Sequence, residues 1–316
     1  MGCGPPTKHE KNRRGGRLAR PGNPHRLESP CYRSETFQEQ YSKETNMFMT
    51  ISGTFHALGS PSGHAIHFRA RDPELWGKLA GFPVTLNPQG QARVRLEGID
   101  TLELDFQGRH QPLKYAREAL DFLLSRLGIR GNLFGPAHAR DGAAGYIVAG
   151  RTDRQGRPLA LVFRGDPEGQ ELDPDIALLS RSINYQLLQA GLAYPAFDPG
   201  LAPRIRKELT LVCRSARNSQ KGFWPQDRTN LGVVIDGGLS QLGKYIIFPR
   251  LFRHLVRFLQ ESDNLRGFKP YLEGHPDPVL YLPTDRSTDL GALMEVQNNS
   301  LKLTAAPEDL VFAEIW

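Results

Sequence analysis

The amino-acid sequence of 316 residues predicts an α+β fold, in which about five antiparallel strands and three helices are compatible with a small β-barrel. Residues 49–58 alternate between apolar and polar side chains, as a half-buried strand does. A Gly-Ser-Pro-Ser-Gly turn then leads into residues 64–68, which indicates a hairpin. Residues 114–127 place their large apolar side chains on one helical face and end before Gly128, which is typical of an amphipathic helix.

The further elements predicted in this part of the chain are again short strands and helices. They are a capped short helix at 72–76 with Pro at its first helical position, a hairpin of 84–86 with 92–96, strands at 145–149 and 159–163, and helices at 183–193 and 205–219. Along the chain, these elements follow the order strands, one helix, strands and two helices, which indicates an α+β arrangement.

The sequence is predicted to divide into four segments. Residues 47–228 contain the elements above and form the main domain. Residues 229–243 are predicted to be a linker. Residues 244–316 are predicted to form a small C-terminal α+β unit, with a helix near 248–261 and three short strands, and no chemical signature is visible in that unit.

The first segment, residues 1–46, is rich in Gly, Pro, Arg, Ser and Glu, has no apolar periodicity and is predicted to be disordered. Its nine Lys/Arg and five Asp/Glu supply +4 of the formal net charge of +6. Two interpretations stay open: a basic arm that binds nucleic acid, or a solvated tail, including one translated from a start codon upstream of Met47 or Met49. Because the rest of the chain carries little net charge, composition alone does not establish nucleic-acid binding.

Composition bounds the class of protein. A hydrophobic fraction of 39% and a charged fraction of 23% are typical of soluble globular proteins. The sequence contains no run of 18 apolar residues and no apolar core of a signal peptide, so we expect no membrane association and a cytoplasmic location. The three cysteines lack the spacing of a metal site, which favours a reducing compartment.

Two short segments carry the chemistry of the chain. Residues 95–103 and 151–157 each place arginine and carboxylate side chains at the end of a predicted strand. Together they offer two guanidiniums and a free carboxylate, a set that can hold a phosphodiester, stabilise its transition state and direct a water. Taken singly, such residues are more often surface ion pairs, so their joint order along the chain decides the interpretation.

In that order the motifs resemble those of the thermonuclease family, the staphylococcal-nuclease-like domains. The resemblance covers roughly residues 49–228 and implies an OB-fold barrel of five strands with three helices. The matching segments are Arg95 followed after four residues by Asp100-Thr101-Leu102-Glu103 (the family has Asp-Thr-Pro-Glu), an alanine-containing helix at 115–119, Arg-Thr-Asp-x-x-Gly-Arg at 151–157, Gly-Leu-Ala-Tyr at 191–194 and Gly-Phe-Trp at 222–224.

The resemblance implies a phosphodiesterase, an endonuclease that cuts DNA or RNA, with single-stranded nucleic acid as the expected partner. By position, Arg95 and Arg157 bind the scissile phosphate, and Glu103 orients or deprotonates the attacking water. The chemistry agrees, because two planar guanidiniums can bind the charge that develops on phosphorus in a bidentate manner. Asp153 is expected to brace the turn that carries Arg157.

The resemblance also implies a Ca²⁺ site, formed by Asp100, the Thr101 carbonyl and a second Asp in an early hairpin turn. Here that turn carries His64 instead, and an alternative alignment with residues 80–84 also lacks a carboxylate. Calcium prefers anionic oxygen ligands, so we expect a weakened or lost calcium site. The imidazole suits Mn²⁺, Zn²⁺ or Ni²⁺ better, or His64 is a turn residue that binds no metal.

Two functions therefore stay open. Arg95, Glu103 and Arg157 favour a nuclease, because a protein that only binds nucleic acid has no need of a base between two arginines. The missing carboxylate favours a domain that keeps the barrel, cuts weakly or not at all, and binds nucleic acid or protein.

Overall fold

The computed structural model of the protein describes residues 48–57, 61–129, 142–167, 169 and 175–313. The expected disorder of residues 1–46 lies outside these described residues. No helix in the described ranges is long and apolar enough to cross a membrane. The elements of the first part are β1 (Met49–His56), β2 (Ala65–Ala70), β3 (Ala92–Leu96), β4 (Ile99–Asp100), α1 (Leu113–Leu127), β5 (Ala143–Thr152) and β6 (Pro158–Arg164).

Five of these strands close into a barrel in the order β1-β2-β3-β6-β5. Neighbouring strands are antiparallel except β3 and β6, whose parallel pairing joins Arg95 to Leu159 and Leu96 to Ala160. Residues on the inner face, such as Ile51, Phe55 and Phe68, are fully buried. The α+β barrel predicted from the sequence is therefore confirmed.

The barrel closes through a pair of glycines. Gly53 on β1 and Gly145 on β5 are register partners. A Cβ at Gly53 would lie 2.1 Å from the Arg69 carbonyl oxygen, and a Cβ at Gly145 would lie 2.4 Å from the Phe163 carbonyl oxygen. Since no side chain fits at either position, glycine permits the close approach of strands that this curved sheet needs.

The predicted strand at 84–86 is wrong. Only Leu86 forms a bridge, to Ala92, and residue 85 packs against the turn after β5 instead: the Thr85 amide donates to the Gly156 carbonyl at 3.0 Å. The Asn87 carboxamide oxygen accepts bonds from the amides of Gln89 and Gln91, which ends the extended segment. The capped helix at 72–76 is confirmed as a 3₁₀-helix, Pro73–Lys78, whose first turn donates to the Asp72 carboxylate.

Three helices and a short strand follow the barrel strands along the chain. They are α2 (Ile176–Arg181) and α3 (Ile183–Gln189), followed by β7 (Tyr194–Pro195) and α4 (Pro203–Asn218). The predicted helix at 183–193 is shorter than expected and is preceded by a second helix, because Ser182 is extended and caps α3 by accepting from the Tyr185 amide. Strand β7 pairs with β4, with Tyr194 opposite Asp100, so Asp100 is held by a two-stranded ladder.

The C-terminal part builds two small sheets beside a helix. Its elements are β8 (Val233–Val234), α5 (Leu239–Leu242), α6 (Pro249–Leu259), α7 (Phe268–Gly274), β9 (Pro278–Tyr281), β10 (Arg286–Asp289), β11 (Met294–Gln297), β12 (Ser300–Leu303) and β13 (Leu310–Phe312). The sheets have the orders β10-β9-β13 and β11-β12-β8. The predicted linker 229–243 thus contains a strand and a short helix, and its β8 pairs with β12; the domain boundaries themselves stay a prediction.

The C-terminal elements pack directly against the barrel segment. The Gln111 side-chain amide donates to the Ile247 carbonyl at 2.7 Å, and Phe197 forms a parallel bridge with Val311. Arg217 on α4 makes a two-bonded ion pair with the buried Glu308, at 2.8 and 2.7 Å. These contacts place helix α6 beside the end of β3.

Candidate functional site

Arg95 and Asp100 lie on either side of a tight turn between β3 and β4. Gly98 in that turn has φ +78°, a conformation that favours glycine. The turn returns the chain so that Arg95 Nη2 lies 3.6 Å from Asp100 Oδ2. Both side chains are buried, and Arg95 is 2% exposed.

Asp100 and Glu103 form a buried carboxylate pair that is bound by one arginine from helix α6. Arg253 Nη1 donates to Asp100 Oδ2 at 3.0 Å and to Glu103 Oε1 at 2.8 Å. Arg253 Nη2 donates to the same Asp100 oxygen. The carboxylate that the sequence predicted to be free is therefore ion-paired, because a residue far along the chain reaches the site.

Helix α6 holds Arg253 in place through Asp277, the residue before β9. Arg250 Nε donates to Asp277 Oδ2 at 2.6 Å, its Nη2 donates to Oδ1, and His254 Nε2 lies 2.9 Å from Oδ2. Burial alone raises the pKa of the Asp277 carboxyl, but the Arg250 guanidinium and these hydrogen bonds outweigh burial and lower the pKa to about 2. Asp277 is thus a charged anchor for the helix.

Arg157 is positioned by Asp153, as the sequence predicts. Asp153 Oδ1 accepts from the amides of Gln155 and Arg157, and Oδ2 accepts from Arg157 Nε at 2.6 Å. This leaves the end of the guanidinium available. Arg157 Nη2 and Arg95 Nη1 are both buried and have no hydrogen-bond partner among the described residues. Buried donors of this kind are costly unless a ligand satisfies them.

A fourth arginine of the site, Arg93, is not identified by the sequence motifs. Arg93 is exposed and lies two residues before Arg95 on β3, which places both on the same face of the strand. Partial desolvation of this exposed guanidinium by its neighbours lowers the pKa of Arg93. The charge of Arg157 lowers the pKa further and Glu103 raises it, so the three side chains lie within electrostatic reach of one another. The period-two spacing is the signal that could have identified it. We refer to Arg93, Arg95, Arg157 and Arg253 as the arginine cluster.

The pKa values reflect burial and these charges together. Burial lowers the pKa of Arg95 to about 10, with Asp100 opposing the change and Arg157 and Arg253 adding to it. Burial raises the pKa of Glu103 to about 7, even against the adjacent Arg253 guanidinium. Asp100 is different: burial raises its pKa, but Arg253, His64 and Arg95 together lower it to about 2.

His64 lies where the resemblance expects a second acidic ligand. Its Nδ1 is 2.9 Å from Thr101 Oγ1 and 3.2 Å from Asp100 Oδ1. Burial lowers the pKa of His64 well below its usual value despite Asp100. The alternative alignment through residues 80–84 places Ala80 in a bridge with Arg151, so the His64 register is the one at the site.

The residues at this site do not fit calcium. One carboxylate, Asp100, faces an imidazole rather than a second carboxylate, and an Asp100 oxygen is already bound by Arg253. Within the described ranges no group of three or more His, Cys, Asp or Glu side chains could hold a metal ion. Calcium needs several anionic oxygens, so the predicted ligands Asp100, the Thr101 carbonyl and His64 do not make a calcium site.

Arg151, in the same motif as Arg157, belongs to a separate ion-pair group. Its Nη2 donates to Glu97 Oε1 at 2.6 Å and to Asp198 Oδ2 at 2.9 Å. Burial raises the pKa of Glu97 to about 7, and Arg151 opposes this. This group ties β5 to the segment before α4 and supports the barrel rather than the arginine cluster.

Most of the site lies in a stretch of sequence that matches a family model. Residues 93–226 match the family model described as Staphylococcal nuclease homologue. That range contains the carboxylate pair and three members of the arginine cluster, whereas His64 precedes it and Arg253 follows it. A comparison with curated proteins found no match.

Proposed function

We propose that the protein hydrolyses phosphodiester bonds of single-stranded DNA or RNA. Residues 93–226 match the family model described as Staphylococcal nuclease homologue, a class of nucleases and nucleic-acid-binding modules. One observation carries the proposal: Arg95 and Arg157 each keep a buried donor without a partner among the described residues, and Glu103 lies within electrostatic reach of Arg95. A phosphate oxygen is the ligand that planar guanidinium donors match best.

The proposed reaction uses the residues as follows. Arg95 and Arg157 bind the non-bridging phosphate oxygens and neutralise the charge that grows in the transition state. Glu103 accepts a proton from a water, whose oxygen attacks phosphorus, and the ester bond to the departing sugar oxygen breaks as that oxygen takes a proton from solvent. Only the ionised Glu103 can accept that proton, and its pKa of about 7 keeps a substantial ionised fraction at neutral pH.

A specific observation favours a second candidate, a module that binds nucleic acid without cutting it. The ion pair between Arg253 and Glu103 withdraws one carboxylate oxygen from a water, and the metal ligands expected of a nuclease are incomplete. Binding through the arginine cluster needs neither of these features.

The experiment that separates the two is cleavage of a fluorescent single-stranded oligonucleotide, with chelator and then with Ca²⁺, Mn²⁺, Mg²⁺ or Zn²⁺. Glu103→Gln is the test variant, and Glu118→Gln, an exposed glutamate on α1, is the matched control. Cleavage that is lost in Glu103→Gln and kept in Glu118→Gln supports the hydrolase. Tight binding without cleavage under every condition rejects the hydrolase and supports the binding module.

A further inference from the structure

We propose that Arg253 is the built-in cation of this site and takes the place of a divalent metal. The inference deepens the proposed function and rests on it for the identity of the anion that binds. Arg253 donates through both terminal nitrogens to Asp100 and through one of them to Glu103. A metal at this position would need the same oxygens.

The guanidinium is built into the fold rather than resting on the surface. The Arg253 side chain is 6% exposed. Arg250 and His254, which flank Arg253 on helix α6, both bind the Asp277 carboxylate and hold the helix in place. A cavity that Arg95, Asp100 and Arg253 line together with residues such as Phe248 and Phe312 has a volume of about 10 Å³. That volume suits one water and leaves no room for a hydrated divalent ion.

The charge of the site is complete without a metal. The arginine cluster contributes four positive charges. Asp100, Glu103 and Asp153, which is paired with Arg157, contribute three negative charges, so one positive charge remains for an anion. A phosphodiester carries one negative charge and gains a second as water attacks. The proton of that water neutralises Glu103, so the residues then carry two positive charges and balance the transition state. His64 supplies an imidazole where a calcium site would need another carboxylate, which agrees with an arginine rather than a metal as the cation.

The first test is metal binding by the wild-type protein, measured by calorimetry with Ca²⁺ and by luminescence with Tb³⁺ as its analogue. We expect no Asp100-dependent binding of either ion, and we expect the anisotropy of a labelled oligonucleotide to be the same with chelator as with Ca²⁺. Binding of Ca²⁺ that disappears in Asp100→Asn overturns the proposal. So does an oligonucleotide affinity that falls tenfold or more with chelator.

The second test is a gain of function. Removing the guanidinium and adding a carboxylate, in His64→Asp/Arg253→Ala, is expected to create Tb³⁺ binding that Asp100→Asn then abolishes. The matched control is His64→Asp/Arg257→Ala, which removes an arginine of the same helix whose guanidinium lies over the Phe106 ring, 5.4 Å from the ring centroid. Equal Tb³⁺ binding by both variants overturns the proposal. If the first variant does not fold by circular dichroism, the wild-type measurements decide.

The outcomes separate this proposal from the proposed function. A wild-type protein that binds neither Ca²⁺ nor an oligonucleotide, together with a variant that gains Tb³⁺ binding, supports Arg253 as the resident cation and rejects nucleic acid as the ligand. Cleavage that requires Ca²⁺ supports the nuclease and overturns the role of Arg253.

Discussion

Arg253 and Glu103 are 150 positions apart in the sequence and are joined by a hydrogen bond of 2.8 Å. The first belongs to the C-terminal helix α6 and the second to the motif that follows β4. Their contact makes the C-terminal part a component of the site. It also changes the chemistry expected of the barrel, because Glu103, the carboxylate expected to activate water, already has a cationic partner.

Removing that cation is expected to destabilise the protein. Arg253→Gln leaves the buried Glu103 carboxylate without its ion-pair partner, and breaking a buried ion pair in this way costs about 3–5 kcal/mol. Urea unfolding at pH 7 measures the change. Arg257→Gln on the same helix is the control, and we expect it to cost less than about 1 kcal/mol because Arg257 is half-buried and solvent screens its charge. Equal losses in the two variants would argue against the structural role given to Arg253.

Arg157 is expected to bind the phosphate. Arg157→Ala removes a charged donor, and hydrogen bonds to charged groups contribute about 1.5–3 kcal/mol, so oligonucleotide affinity should fall by about tenfold to a hundredfold. The slope of log affinity against log salt should also become shallower by about 0.7, the value for one contact to a single strand. Fluorescence anisotropy measures both.

The control for this variant comes from the same turn. Arg154→Ala removes an exposed arginine three residues away, and we expect its affinity and salt slope to stay close to those of the wild type. A loss of affinity in Arg154→Ala as large as in Arg157→Ala would show a diffuse electrostatic effect rather than a site.

The anchor of helix α6 should make stability depend on pH. The folded pKa of Asp277 is about 2 and its ordinary value is 3.8, so the carboxylate contributes about 2 kcal/mol above pH 4, and this contribution is lost as pH falls from about 4 to about 2. The difference in unfolding free energy between wild type and Asp277→Asn should be constant from pH 7 to 5 and shrink below pH 4. Asp285→Asn, at an exposed turn, is the control. A difference that does not change with pH would contradict the charged anchor.

The sequence predicts the barrel and the site residues that lie on it, because both depend on local signals and on strand topology. Strand alternation and turn residues are local signals, so β1, β2, β3 and β6 are predictable from them. Arg95 and Asp100 are separated by one turn, and Arg157 lies in the turn before β6, the strand that pairs with β3, so topology brings them together. For these three residues, the sequence motif and the strand topology therefore predict the same grouping.

Arg253 could not be found in this way, since its role depends on how the C-terminal part packs. Helix α6 buries charged residues as well as apolar ones, including Arg250, Arg253 and His254. Charged side chains on a predicted helix are ordinarily assigned to the solvent face, and only tertiary contacts show that these face carboxylates. The strand predicted at 84–86 is wrong for a related reason, because its backbone bonds to a distant turn.

Metal-free hydrolysis at the arginine cluster is tested most sharply by the initial rate at which wild type and Arg95→Lys cleave a single-stranded oligonucleotide, with chelator present throughout. Lysine keeps the charge and loses the planar fork of donors, so geometry is tested apart from electrostatics. We expect wild type to cleave without metal and Arg95→Lys to cleave about a hundredfold or more slowly, with circular dichroism unchanged. Equal rates for the two proteins, or cleavage by neither, would contradict metal-free hydrolysis at the arginine cluster.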